Sequence, residues 1–179
     1  YHPDRFQNEK DVAEILLRRS KSRSLYVDAS QEMIDECIAE AEEEIGIHLD
    51  ELQRDAVVSA IQHSTVVITG GPGSGKTTLL NTYIKAIGKL SKKLHREAPS
   101  ISLAAPTGMA SKRMSASTGR EARTIHKMFD IRYDLKINEE AKAFVSDIVV
   151  LDEVSMLDID IMAYILRVMS VNTGLILLG

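Results

Sequence analysis

Apolar residues recur along the chain at two different periods, and the change between them marks out the elements. Over residues 4–19, Phe6, Val12, Ile15 and Leu16 fall at intervals that suit one face of an amphipathic helix. A polar, serine-rich connector follows over 20–29. Ser30 stands where a helix needs an N-cap, and Met33, Ile34, Cys37, Ile38, Ala41 and Ile45 then share a face until Gly46, a residue suited to ending the helix. A third helix is expected from about Asp50 to His63. Four short apolar runs read as buried strands: Val66 to Thr69, Ile101 to Ala104, Ile148 to Leu151 and Leu175 to Leu178. Between them, helices are expected from Lys76 to about Lys92, over 107–116 and from Asp158 to Met169. Apolar strands alternating with helices predict an α/β fold with a mostly parallel sheet covered on both faces. Residues 131–137 alternate apolar and polar positions, which is the signature of a strand with one wet face.

Composition narrows the class. With 179 residues and 44% hydrophobic content, the chain can bury the core of one ordinary domain, with a helical arm or the end of an upstream domain over 1–46 and the main domain over 47–179. A single cysteine, Cys37, excludes a disulfide framework and argues against a zinc cluster. It suits a reducing, cytoplasmic setting. No apolar run approaches the roughly 18 to 20 residues of a membrane span, so no membrane partner is expected. The absence of an initiator Met and the apolar run just before Gly179 make a segment of a longer protein the expectation. The net charge of −4 is unevenly spread: residues 1–50 hold 13 acids and 6 bases, residues 51–179 hold 13 acids and 16 bases. The basic excess of the larger part leaves room for a nucleic-acid partner, although solvated helix faces explain such charges equally well.

The candidate chemistry sits on the loops that follow two strands. Gly70-Gly71-Pro72-Gly73-Ser74-Gly75-Lys76-Thr77 satisfies G-x-x-x-x-G-K-[ST], between an expected strand and an expected helix. Glycines let successive backbone N–H groups turn towards phosphate oxygens, and the helix N-terminus adds partial positive charge. Gly71, Pro72, Gly73, Ser74, Gly75, Lys76, Thr77 and Thr78 are therefore the candidate ATP-binding residues. Lys76 reaches the β- and γ-phosphates, and Thr77 is a candidate Mg²⁺ ligand. Asp152-Glu153 follows the third apolar run, at a strand end where ligands of open α/β sheets bind. Asp152 is the second candidate Mg²⁺ ligand, and Glu153 the candidate for polarising the attacking water.

With these residues the chain resembles superfamily 1B DNA helicases of the RecD-like type: the exodeoxyribonuclease V alpha subunit, its free-standing relatives and the helicase part of TraA-like relaxases. The resemblance covers about residues 48–179. Leu49 to Val57 resembles the family's Q-motif, Thr69 to Thr78 its motif I, and Ala104 to Met114 its motif Ia. Val150 to Asp158 resembles motif II, and Leu175 to Gly179 the strand entering motif III. Met109 departs from a common Arg and Ser74 from a common Thr. The resemblance implies a RecA-like P-loop domain, with Gln53 reading adenine. Pro106 and Thr107 are implied to touch a single-stranded DNA backbone, with Lys112 and Arg113 nearby and Thr124 and His126 in motif Ib. It also implies a small 1B-like insertion at about 129–146, where residues 131–137 are an ordinary surface strand or a strand-separating element.

The function implied is an ATP- and Mg²⁺-dependent DNA helicase motor, moving 5′ to 3′ on single-stranded DNA in recombination, repair or conjugative processing. Other recombination or repair subunits, and a second RecA-like domain that completes the ATP site with an arginine, are the implied partners. Within the present chain a cis arginine is sought in the motif Ia region or at Arg167. Two other classes fit the bare motifs: an AAA-like ATPase that remodels protein, and a nucleotide-binding scaffold without turnover.

Overall fold

The computed structural model describes residues 3–71, 73–132, 135 and 145–179; Pro72 and most of the alternating segment at 131–137 lie outside the described residues. The elements are α1 (Pro3–Ser20), α2 (Gln31–Ile45), α3 (Glu51–Gln62), β1 (Thr65–Ile68), α4 (Lys76–Lys93), β2 (Ile101–Ala105), α5 (Gly108–Thr118), β3 (Ala122–Thr124), α6 (Ile125–Met128), β4 (Ile148–Leu151), α7 (Ile159–Val168) and β5 (Gly174–Leu178). The strands form one sheet in the order β1-β5-β4-β2-β3. Every pairing is parallel. The expected parallel α/β sheet is thus present, with one strand more than the apolar runs predicted. That strand, β3, has three residues, and it joins the sheet by pairing Ala122 with Leu103 and Thr124 with Ala105.

The central strands β4 and β5 are apolar throughout because alternate residues serve opposite cores. Leu103, Ile148, Val150, Ile176 and Leu178 join one cluster with the inner faces of α2, α3 and α4. Ala104, Val149, Leu151, Leu175 and Leu177 join another with Ile125, Phe129 and Ile165. All four residues of β4 are buried.

Helix boundaries follow local chemistry. Ser30 caps α2 by accepting from Met33 N, and Gly46 ends it at φ 76° in the left-handed region that suits glycine. Asp50 and Gln53 form a reciprocal capping box at the start of α3.

The two N-terminal helices, expected as an arm, pack onto the domain on opposite faces of the sheet. On α2, Ile34, Cys37, Ile38 and Ala41 are buried against the cluster that α4 shares. Its acidic outer edge meets the basic edge of α4 in an antiparallel zipper. Lys85 reaches Glu44 at 2.6 Å, Lys89 reaches Glu44 at 2.9 Å, and Lys93 reaches Glu40 at 2.9 Å and Glu36 at 2.7 Å. The acidic excess of residues 1–50 is therefore in part an intramolecular complement. On the other face, Val12, Ile15 and Leu16 of α1 pack on the second cluster. The last turn of α1 carries Arg19, which is fully buried. Its guanidinium donates to the carbonyls of Ser170, at 2.7 Å, and Thr173, in the turn between α7 and β5. Ser64 Oγ donates back to Arg19 O at 2.8 Å. Burial lowers the Arg19 pKa from its ordinary value, with Arg18 adding to the effect.

Two tests follow from this packing. Arg19→Ala leaves two carbonyls without their donor and removes a large buried side chain, so it should lower unfolding stability by about 2–5 kcal/mol in denaturant titration. The second concerns pH. Hydrogen bonds from Lys85 and Lys89 hold the Glu44 carboxyl down to about 2, below its ordinary 4.5. A carboxyl depressed in the folded state stabilises above its unfolded pKa and loses that contribution as pH falls towards its folded one. The thermal midpoint of the wild type should therefore fall more steeply from pH 5 to pH 2.5 than that of Glu44→Gln, and salt should narrow the gap.

Candidate nucleotide site and nucleic-acid rim

Because all five strands are parallel, their C-terminal ends share one edge of the sheet. The β1 ladder runs directly into the glycine loop: Gly179 N donates to Ile68 O at 3.0 Å and Gly70 N to Gly179 O at 2.9 Å. Gly73 and Gly75 both sit at φ 78°. At Gly75 a side chain is excluded twice, by that left-handed conformation and by Gln53, whose Nε2 would lie 2.4 Å from an added Cβ. Ser74 N donates to Gly71 O at 3.1 Å and closes the turn.

Lys76 opens α4 and folds its ammonium back to donate to Gly70 O and, at 3.3 Å, to Gly71 O. Thr77 is exposed at the cleft, while Thr78 is half-buried and its carbonyl accepts from Thr82 Oγ1 at 3.0 Å. Asp152 follows β4, held by a bond from its N–H to Ala104 O at 2.9 Å, and its Oδ1 accepts from Glu153 N at 2.8 Å. Glu153 has φ 53° and ψ 37°, a left-handed conformation that costs a residue with a Cβ about 1–2 kcal/mol. It opens a short 3₁₀ turn at Val154–Met156.

These elements enclose a cleft of about 340 Å³ lined by Gly73, Lys76, Thr77, Asp152 and Glu153, with Arg113 of α5 also among its lining residues. The phosphate-loop and motif II residues are therefore brought together. Thr77 and Asp152 offer hard oxygen donors, and among the described residues no group of three or more His, Cys, Asp or Glu side chains is placed to hold a metal ion. Two oxygen ligands from the protein fit Mg²⁺, which keeps several waters and takes the rest of its shell from phosphates. Gln53 lies against the loop with both ends of its amide engaged. Its Oε1 accepts from Asp50 N at 3.1 Å, and its Nε2 donates to Ser74 O at 3.0 Å. The helix cap and the phosphate loop therefore share one side chain, a link that the spacing of Gln53 from the loop did not reveal.

The residues expected at DNA lie on the adjoining ends of β2 and β3, whose last residues Ala105 and Thr124 are register partners. Thr107 is exposed and caps α5 by accepting from Ala110 N at 3.1 Å. Thr124 caps α6 by accepting from Lys127 N at 3.3 Å. Pro106 is half-buried, whereas Lys112 and His126 are exposed. Arg113, grouped above with these residues, lines the nucleotide cleft. Ala110, Arg113, Met114 and Ser117 all line it, at the i, i+3, i+4, i+7 spacing of one helix face, so the search for a cis arginine in the motif Ia region falls on Arg113. Arg123 is paired with Glu121 at 2.9 Å. Arg167, the other cis candidate, is tied to α1 through Asn8 at 2.6 Å and through Asp11.

Comparison with known proteins places this geometry in a family. A family model described as "AAA domain" matches residues 53–179. RecBCD enzyme subunit RecD of Mycolicibacterium smegmatis is 31% identical over 148 residues, covering 72% of this chain and 27% of that protein. The ATP-dependent RecD2 DNA helicase of Deinococcus radiodurans is 32% identical over 131 residues, covering 73% and 17%. The chain thus spans about a quarter or less of the length of these two relatives. Among solved structures, Pif1 helicases at forked double-stranded DNA align with a TM-score of 0.55 at 21% identity, over 74% of this chain and 33% of theirs, a likeness of fold. With more than two thirds of its residues under that family model and the phosphate loop, Asp152 and Glu153 around one cleft, the chain belongs to the AAA domain family, in its RecD-like branch.

Proposed function

We propose that this chain is the nucleotide-hydrolysing motor domain of an ATP-dependent DNA helicase. The observation that carries the reading is the convergence of Lys76, Thr77, Asp152 and Glu153 on one cleft at the C-terminal ends of parallel strands. RecD and RecD2, named as a RecBCD subunit and a DNA helicase, support the motor reading. Single-stranded DNA is the proposed partner, bound along the rim of Pro106, Thr107, Lys112, Thr124 and His126. Movement 5′ to 3′, a second RecA-like domain and other recombination or repair subunits belong to the same proposal. No helix among the described residues is long and apolar enough to cross a membrane, and a cytoplasmic setting is part of the reading.

The proposed chemistry follows from the residues. The backbone N–H groups of Gly71, Gly73 and Gly75 cradle the phosphates, and the helix N-terminus at Lys76 favours their charge. Lys76 exchanges its bonds to Gly70 O and Gly71 O for phosphate oxygens. Thr77 and Asp152 would hold Mg²⁺, which neutralises charge on the β- and γ-oxygens when bound. Glu153, fixed by its left-handed backbone, orients and polarises the attacking water.

Two sets of variants test this in the intact protein. Lys76→Ala should abolish ATP turnover, whereas Glu153→Gln should still bind ATP with Mg²⁺ and hydrolyse it about 10² to 10⁴ times more slowly. Steady-state ATPase and nucleotide-binding assays decide; near wild-type turnover in Lys76→Ala refutes the site. For the rim, Thr107→Ala should weaken single-stranded DNA binding irrespective of base sequence, and it should also cost about 0.5–2 kcal/mol of stability because the hydroxyl caps α5. Thr107→Ser keeps the cap and should restore both properties. A loss of binding that depends on base sequence would contradict a backbone contact.

A further inference from the structure

We propose that Arg113 contacts the γ-phosphate in cis, from the same domain that carries the phosphate loop. The proposal rests on the nucleotide reading of the cleft and adds to it a cation that no element of the loop supplies.

The placement comes from α5. Its cleft-lining face runs through Ala110, Arg113, Met114 and Ser117, and the same cleft is lined by Lys76, Thr77 and Leu80 of α4. The two helices are fixed to each other, with Asn81 Nδ2 donating to Ser117 O at 2.9 Å. Met114 is buried immediately beside Arg113 and pins the helix in that rotation. Arg113 therefore has a defined direction, into the space that Asp152 and Glu153 also border.

Its present engagement is weak. The guanidinium donates to Met109 Sδ at 3.6 Å, and a thioether is a poor acceptor. Two other arginines are committed elsewhere: Arg123 to Glu121, and Arg167 to Asn8 and Asp11. Exchanging a sulfur contact for a phosphate oxygen replaces a weak hydrogen bond with a charge-assisted one, and the planar fork suits two phosphate oxygens at once.

The position along the triphosphate follows from the other ligands. Loop N–H groups hold the α- and β-phosphates, and the lysine reaches the β- and γ-phosphates. Arg113 borders the cleft together with Asp152 and Glu153, the carboxylates assigned to the metal and the attacking water. The phosphate between those groups and the loop is the terminal one. Arg113 thus distinguishes ATP from ADP, because its ligand leaves with the γ-phosphate.

The test uses the full-length protein, with calorimetric titration of Mg-ATPγS and Mg-ADP into wild type, Arg113→Ala, Arg113→Lys and Lys76→Ala. Arg113→Ala is expected to weaken Mg-ATPγS binding about tenfold while Mg-ADP changes by less than about twofold. Arg113→Lys should recover part of the loss, since it keeps the charge and gives up the fork. Arg113 is exposed, so unchanged thermal unfolding is expected and serves as the folding control. Unaltered affinity for both nucleotides in Arg113→Ala, with binding weakened in Lys76→Ala, would overturn the proposal and leave the nucleotide site standing. An equal loss for both nucleotides, or a loss of single-stranded DNA affinity alone, would also overturn it. Failure of Lys76→Ala to affect either nucleotide would remove the reading of the cleft itself.

Discussion

A parallel sheet with apolar residues on both faces has no solvent-tolerant side, and this constraint organises the rest of the molecule. β4 has no exposed residue. Val149 and Leu151 require cover on one face, Ile148 and Val150 on the other. The helices between strands supply part of that cover, and the N-terminal helices supply more: α2 thickens the face of α4, and α1 lies on α7. Residues outside the family match at 53–179 are in this sense structural partners of the site. The last turn of α1 also secures the far end of β5 through Arg19, whose other end, at Gly179, is bonded to the phosphate loop.

Much of this was legible because the signals were local. Four strands announced themselves as aliphatic runs, and the phosphate loop needed glycines at fixed places. Ser30, Gly46 and Asp50 marked helix ends by capping chemistry. β3 escaped because it has three residues with Arg123 in the middle, and its existence depends on pairing with β2. For α1 and α2, the packing partners were not legible either. Their helical periodicity was plain, but the partner of an amphipathic face is not written in the face itself. The acidic edge of α2 looked like a solvated surface until the lysines of α4 stood opposite. Arg19 gave no warning, since a basic residue in a last turn ordinarily serves the helix dipole in solvent.

The candidate site divides along the same line. Lys76, Thr77, Asp152 and Glu153 were identified by motif and are found around one cleft. Arg113 was read next to Lys112 as a candidate at DNA, and the motif Ia region that holds it was also where a cis arginine was sought. Adjacent residues on a helix point about 100° apart, and that angle separates the cleft from the exposed side of α5. Six residues separate the cap Thr107 from Arg113, about 9 Å along the axis. One short rigid element therefore begins at the proposed DNA rim and reaches into the nucleotide cleft.

The two threonine caps carry a consequence of their own. Thr107 and Thr124 each use an oxygen lone pair to accept from the first turn of a helix. A hydroxyl spent in this way still has its proton to give. Together with the Lys112 ammonium, the rim is thus biased towards donors, and ligands that bring only protons find few places to put them. On the proposed reading of the rim, such a surface filters by the polarity of hydrogen bonding before shape is consulted: it would admit the acceptor-rich outline of a phosphodiester chain and be indifferent to the bases strung along it.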